Sequence, residues 1–358
     1  MGSALTKTLR RTSFGMRKLR TDSPYYQDAI ASYSSLEGEN EKEEPVKRKI
    51  LPIAPALSPT FSVMSYNVLA DVNVIDNGQY RYTPKWALPF SYRFQNIVKE
   101  IEFYNPDIVC LQEVDHDDEI AKYFESKGYG SEFSPRGGRF PEGCQTLYKT
   151  DKFTLVDIER IRFNQIVEEY GVNKRDYKRS NIAQALVFQM NGFNFPLLLG
   201  NTHLYWDPSY EYVKVAQAHY LMHYLDSIKK KHKTDFPTVL CGDFNSNPTS
   251  RVYELIVRGL PKERAKRKDV LLHTHNSKLV SSYKCRNDPP TNFSSVFTGT
   301  LDYIFYSKQN LSLTSLLEEA TKEFPPLQKY SACPNPAMPS DHVPILATFA
   351  IEPTKSEK

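Results

Sequence analysis

The sequence predicts an α/β sandwich built on β-sheets, and three observations point to it. Eight short runs, rich in β-branched and aromatic residues and bounded by Gly, Pro, Asn or Asp, read as strands. Four longer stretches read as helices and alternate irregularly with the strands, which does not fit a winding of βαβ units alone. Polar residues, from Asn67 to His342, stand at or just past the ends of the apolar runs.

The globular pattern begins at Phe61. Its first strand, 61–66 (FSVMSY), runs into Asn67. A helix over 91–104 leads to a strand at 107–111 (DIVCL) that points at Glu113, and a helix over 117–127 follows. Strands at 144–148 and 183–189 precede the strand 195–202 (FPLLLGNT), which ends at His203. The helix over 210–231 carries Val213, Ala216, Gln217, Tyr220, Leu221, Tyr224, Leu225 and Ile228 on one face of period 3.6. The strand 237–241 (PTVLC) delivers Asp243 and Asn245, and a helix spans 250–258. Asp302 opens the apolar strand 301–306, and the last strand, 343–351, follows Asp341 and His342. No internal repeat is visible.

A chain of 358 residues, 40% hydrophobic and 13% aromatic, can bury a large core. Its net charge of +4 is too small for a simple polycation, so a polyanionic substrate needs a local basic groove. The five cysteines are odd in number and widely spaced without a CxxC, which argues against zinc and for a reducing compartment. No stretch has the roughly 18 consecutive apolar residues of a membrane span.

Residues 1–60 differ from the rest. There is no acidic residue up to Thr21, while Lys7, Arg10, Arg11, Arg17, Lys18 and Arg20 surround a helical face of Leu5, Leu9, Met16 and Leu19. A disordered basic tail on a cytoplasmic protein is the expectation. A mitochondrial transit segment, or membrane association through acylation of Gly2, are the alternatives. Residues 35–49 read as a charged linker and 353–358 as a tail, leaving one domain over 61–352.

The polar strand ends suit a metal-assisted phosphohydrolase. Such a site needs a carboxylate for a hard cation, a group to hold water, and donors for the phosphate oxygens. Glu113, at the end of a buried run, is the best metal ligand, although a single Glu there could be a cap. Asp243 and Asn245, two apart on an extended segment, face the same way and suit a water-orienting carboxylate beside a phosphate- or base-binding amide. An Asx turn is the bland alternative. Asp341 and His342 are adjacent, and Asp302 needs a partner that His342 can supply. His203 offers a second imidazole, or else an ordinary strand end.

Several blocks in order, SYNVLAD (65–71), YRYTPKWAL (80–88), LQEV (111–114), HLYWDP (203–208), CGDFNS (241–246), LDYIFYS (301–307) and PSDHVPILATF (339–349), resemble the exonuclease–endonuclease–phosphatase superfamily. Within it, the resemblance is to carbon catabolite repressor type deadenylases, with nocturnin and Angel as relatives. It implies a four-layered α/β/β/α sandwich of the deoxyribonuclease I kind. It also implies roles: Glu113 binds Mg²⁺ (or Mn²⁺), with Asn67 and Asp341 close to the metal or its waters. Asp243 positions the attacking water, and His203 and Asn245 contact the phosphate or the terminal nucleotide. His342, oriented by Asp302, stabilises the phosphate or serves as base. Pro208 and Phe297 clamp the adenine, unless Phe297 merely packs in the core.

The expected function is Mg²⁺-dependent 3′–5′ exoribonucleolytic removal of poly(A), releasing 5′-AMP in mRNA turnover. The expected partner is single-stranded RNA and the expected state a monomer. A leucine-rich segment that would contact a deadenylase complex is not seen. The alternatives are a phosphatase of the nocturnin or Angel kind, acting on the NADP(H) 2′-phosphate or on RNA 2′,3′-cyclic phosphate, and an inactive RNA-binding adaptor. The basic stretches 172–181 and 262–268 fit either a nucleic-acid path or solvated loops.

Overall fold

The computed structural model describes residues 43–55, 59–77, 79–138, 140–259 and 279–352. Fifteen strands occur among them, β1 (Ile50–Pro52), β2 (Thr60–Asn67), β3 (Ile108–Val114), β4 (Tyr129–Gly137), β5 (Phe140–Lys149), β6 (Phe153–Arg162), β7 (Ile182–Met190), β8 (Phe195–His203), β9 (Thr238–Asp243), β10 (Leu279–Ser281), β11 (Asn292–Phe293), β12 (Thr298–Gly299), β13 (Asp302–Ser307), β14 (Leu311–Leu317) and β15 (Ile345–Ile351). They form a seven-stranded sheet in the order β1-β14-β15-β2-β3-β5-β4, a six-stranded sheet in the order β10-β13-β9-β8-β7-β6, and the small pair β11-β12.

The two large sheets pack face to face. Alternation along each strand sends one set of side chains between them: Phe61 and Val63 from β2, Ile108 and Cys110 from β3, Leu197 and Leu199 from β8, Val239 and Cys241 from β9. The opposite faces are covered by helices. Met64, Tyr66, Val109 and Leu111 pack with Ile97 and Ile101 of the helix Phe90–Tyr104 and Ile120 and Phe124 of the helix Asp117–Glu125. Leu198, Leu240 and Phe305 pack with Val213, Leu221 and Leu225 of the helix Glu211–His232 and Val252 and Leu255 of the helix Arg251–Arg258. The result is the expected α/β/β/α sandwich. No described helix is long and apolar enough to cross a membrane.

At one end of the sandwich the inter-sheet face turns polar. Gln112 donates to Asn201 Oδ1 (2.9 Å), Asn201 to Thr146 Oγ1 (3.2 Å), and Thr146 to Gln184 Oε1 (2.7 Å), all buried. Mutual hydrogen bonding offsets much of the cost of burying these amides, although Gln112 Oε1 has no partner. This layer separates the apolar filling from the polar strand ends beyond it.

The expected elements match to within a few residues, except that the strand expected at 144–148 starts four residues earlier, at Phe140. Strands β1, β4, β6, β10, β11, β12 and β14 were not expected. β4 (YGSEFSPRG) is half-exposed along most of its length and carries little apolar signal. The domain also starts earlier than 61, which corrects the part of the expected linker that is described, residues 43–49. β1 pairs antiparallel with β14, and Arg48, 5% exposed, donates to the Pro344 (2.7 Å) and Glu318 (3.1 Å) carbonyls. Charged residues here read as linker because their partners are distant in sequence, from 55 positions between Glu44 and Lys99 to 296 between Arg48 and Pro344. The expectations for residues 1–42, 262–268 and 353–358 lie outside the described residues.

Candidate active site

Neighbouring strand ends bring the expected residues together. His203 of β8 sits opposite Asp243 of β9, and Asp243 opposite Asp302 of β13. All three continue the inward-facing series of their strands, past Leu199, Cys241 and Ile304 respectively. Asn67 continues the series Phe61, Val63, Ser65 of β2.

Glu113 arrives by a different route. Strict alternation from Ile108, Cys110 and Gln112 would send Glu113 to the helix-covered face. Instead the pairing of β3 with β5 shifts between Leu111 and Val114, and Glu113 takes φ +56°. The extra residue is a β-bulge, and Val114 resumes the outward face that Leu111 occupied. A non-glycine residue with positive φ inside a strand is unusual, and such backbone concentrates at functional sites.

Hydrogen bonds tie the group together. The Asn67 amide donates to Glu113 Oε1 (3.1 Å) and Asp243 Oδ2 (3.0 Å). Asn73 (2.5 Å) and the Ala70 N–H (3.2 Å) donate to Glu113 Oε2. The Asn245 N–H donates to Asp243 Oδ1 (2.8 Å). His342 Nδ1 lies 2.7 Å from Asp302 Oδ2, so Nδ1 carries the proton and Nε2 faces Asp243 Oδ2 at 3.6 Å. His203 Nε2 lies 3.7 Å from that same oxygen. Thr291 also donates to Asp302 Oδ2 (2.6 Å). Asp341 Oδ2 accepts from Tyr80 (2.9 Å) and Asn292 (3.3 Å).

Protonation follows from these contacts. Burial alone would raise Glu113, but the charge of His203 and the Asn67 and Asn73 hydrogen bonds hold its carboxyl below the usual range. Burial, with repulsion from Asp302, pushes Asp243 up to about 7 despite His342. Burial also raises Asp341. His342 resists the effect of burial, because the Asp302 and Asp243 carboxylates hold it well above the ordinary imidazole value. Burial pushes His203 down. His342 is thus held toward its charged form, whereas burial favours the uncharged form of His203 even though Glu113 attracts its charged one.

Two sets of ligand atoms, Glu113–His203–Asp243 and Asp243–Asp302–His342, each lie within 4.8 Å of one another. The donors are carboxylates, amides and imidazoles with no thiolate, which suits a hard divalent cation. Crowded buried carboxylates such as Asp243 and Asp341 would be relieved by one.

The remaining expected residues are less converged. Asn245, at φ +48°, spends its side-chain amide on the Leu204 carbonyl (3.0 Å), so it also closes its own turn. Pro208 opens an exposed turn of 3₁₀ helix, Pro208–Tyr210. Phe297 is 44% exposed between β11 and β12, with its ring over Gly299, and is not a core residue.

Several supporting residues were not expected: Tyr80, Asn73, Thr291, Asn292 and Arg93. Arg93 is fully buried and donates to Asp71 Oδ1 (2.6 Å) and to the Val68 (2.8 Å) and Pro339 (3.3 Å) carbonyls. It thereby joins the loop after Asn67 to the loop before Asp341. An arginine on the apolar face of the predicted helix 91–104, between Phe90 and Ile97, was the available signal.

Residues 64–342 match the endonuclease/exonuclease/phosphatase family. The chain is 30% identical over 353 residues to the CCR4-Not complex 3′-5′-exoribonuclease subunit Ccr4 of Mycosarcoma maydis, covering 83% of this chain and 51% of that protein. It is 32% identical to the Ccr4 of Saccharomyces cerevisiae, covering 83% of this chain and 39% of that one. It thus spans about half or less of these relatives. Among solved structures it is similar to ANGEL2, a 2′,3′-cyclic phosphatase, in complex with adenosine-2′,3′-vanadate (29% identity, TM-score 0.73, covering 85% of this chain and 98% of that one). It is also similar to the human Nocturnin catalytic domain with bound sulfate (26% identity, TM-score 0.63, covering 85% and 98%).

Proposed function

Because the chain belongs to the endonuclease/exonuclease/phosphatase family, we propose that it is a Mg²⁺-dependent 3′–5′ exoribonuclease that shortens poly(A) and releases 5′-AMP. The observation that carries this reading is the convergence of Asn67, Glu113, His203, Asp243 and the His342–Asp302 pair on one buried site. The similarity to Ccr4 exoribonuclease subunits supports the choice of substrate. An inactive adaptor would require a missing polar group, and each expected one is in place.

Mg²⁺ would be held by Glu113, with Asn67 and Asp341 beside it, and would offset negative charge on the phosphate oxygens. The residues of the chain do the rest. Asp243, fixed by Asn67 and the Asn245 N–H, orients a water in line with the phosphorus and accepts its proton. The water oxygen bonds to phosphorus as the bond to the 3′-oxygen of the preceding nucleotide breaks. The departing 3′-oxygen takes up a proton and the terminal nucleotide leaves as 5′-AMP. His342, kept cationic and aimed by Asp302, donates from Nε2 to a phosphate oxygen. His203 borders the same pocket, with Nε2 at 3.7 Å from Asp243 Oδ2.

A second reading has its own support. The match to the 2′,3′-cyclic phosphatase ANGEL2 spans 98% of that chain, so the two agree at the scale of the whole domain. The same groups would then open a cyclic phosphate at an RNA end.

A time course separates the readings. Purified protein is incubated with 5′-labelled RNA carrying a short A tail, with Mg²⁺ or EDTA, beside Glu113→Ala. Stepwise shortening that stops at the end of the tail, and vanishes in both controls, is the expected result. An intact tail, with turnover of RNA ending in 2′,3′-cyclic phosphate or of NADP(H), would replace the exoribonuclease reading.

A further inference from the structure

Beside the site, the loop after β8 presents Trp206 to solvent, 55% exposed, three residues past His203. An indole left in water costs hydrophobic free energy unless something covers it. Its backbone is not loose. The Leu204 N–H donates to the Asp243 carbonyl (2.9 Å), and the Tyr205 N–H to Gln217 Oε1 (2.9 Å). The ring is therefore presented from a fixed support.

The neighbouring segment is the basic stretch 172–181, and it is fastened to the same loop. The Arg179 guanidinium lies against both Tyr205 and Tyr210, at 4.9 and 5.0 Å from their ring centroids. It also donates to the Lys178 (3.0 Å) and Arg175 (3.2 Å) carbonyls. Asn181 donates to the His203 carbonyl (3.1 Å), which joins the stretch to the site itself. Lys174, Arg175 and Lys178 are exposed, and none forms an ion pair with a carboxylate among the described residues. An exposed aromatic ring on a fastened loop, with three exposed cations and one carboxylate, Asp176, on the segment beside it, continuous with a phosphodiesterase site, matches the chemistry of single-stranded nucleic acid.

We infer that Trp206 and the 174–178 segment form an RNA-binding subsite outside the catalytic pocket. One base of the strand stacks on Trp206, and its phosphates lie along Lys174, Arg175 and Lys178. Arg179 serves as a positioning residue that holds the two segments together. This inference rests on the exoribonuclease reading and adds where the strand lies.

The test uses the whole protein in EDTA, so that nothing is cut. The chain has two tryptophans, and Trp86→Phe leaves Trp206 as the sole reporter. Oligo(A) should quench the Trp206 emission. Trp206→Ala should weaken oligo(A) binding, read by anisotropy, by roughly ten-fold or more. Lys178→Ala should flatten the salt dependence of binding, by about 0.7 in the log–log slope for one lost phosphate contact. Oligo(A) that is hydrolysed normally in a parallel reaction with Mg²⁺, yet bound in EDTA without change in Trp206 emission and with equal affinity for Trp206→Ala, overturns the subsite and leaves the enzyme reading standing. Oligo(A) neither bound nor hydrolysed removes both. Quenching by phosphatidylserine vesicles but not by oligo(A) reassigns the surface to a membrane and overturns the inference.

Discussion

Asp302 accepts from His342 Nδ1 at 2.7 Å, and this contact orients the imidazole and, together with the Asp243 carboxylate, favours its charged form. Asp302→Asn would keep the shape but remove the charge and offer an amide that can rotate. We expect kcat to fall by about two to four orders of magnitude, the range of general acid–base and orienting groups. Circular dichroism should show an intact fold. A variant that is folded and fully active would remove His342 from the mechanism.

Glu113 is expected to be the main anionic ligand. Mg²⁺ should raise the melting temperature of the native protein, since a ligand at about 100 times its Kd adds about 2.7 kcal/mol. Glu113→Gln should abolish that shift as well as activity. An equal Mg²⁺-dependent shift in the variant would place the cation elsewhere.

Arg93 is buried and paired with Asp71, and it supports two loops of the site. Removing one partner of a buried pair leaves an uncompensated charge, so Arg93→Ala should cost about 3–5 kcal/mol. Urea unfolding measures this directly. A loss below about 1 kcal/mol would show that the loops do not depend on it.

His116 stacks on Phe90 (centroids 3.9 Å apart) and faces Asp71, Asp115 and Glu119. Burial works against its charge, yet the Asp71 hydrogen bond and the surrounding carboxylates raise its pKa. A raised folded-state value means that the stabilisation is fully present below the unfolded value of about 6.5 and fades as pH rises through the folded one. His116→Gln should therefore lose more stability near about pH 6 than near about pH 9. Denaturation at both values provides the comparison, and a difference independent of pH would show that the imidazole acts only by packing.

Much of this site was legible because strand geometry is local. In the series Phe61–Val63–Ser65–Asn67 and Val239–Cys241–Asp243, a period of two places the terminal polar residue on the same face as the apolar ones before it. Chain order alone therefore identifies His203, Asp243 and Asp302 as strand-end groups. The extent of the helix Glu211–His232 was equally local, but residues 213–222 are buried all round and not on the one expected face.

Tertiary structure decided the rest, because it depends on partners distant in sequence. Glu113 reaches the site only through a bulge set by pairing with β5, a shift that no period in β3 records. Tyr80 meets Asp341 across 261 positions, and Arg48 meets Pro344 across 296. Local composition made residues 43–49 resemble a linker, while their hydrogen bonds and ion pairs to the domain make them part of it. By itself, the sequence determined which residues stand at strand ends. Sheet pairing decided which of those ends meet, because register is a property of two strands and not of one.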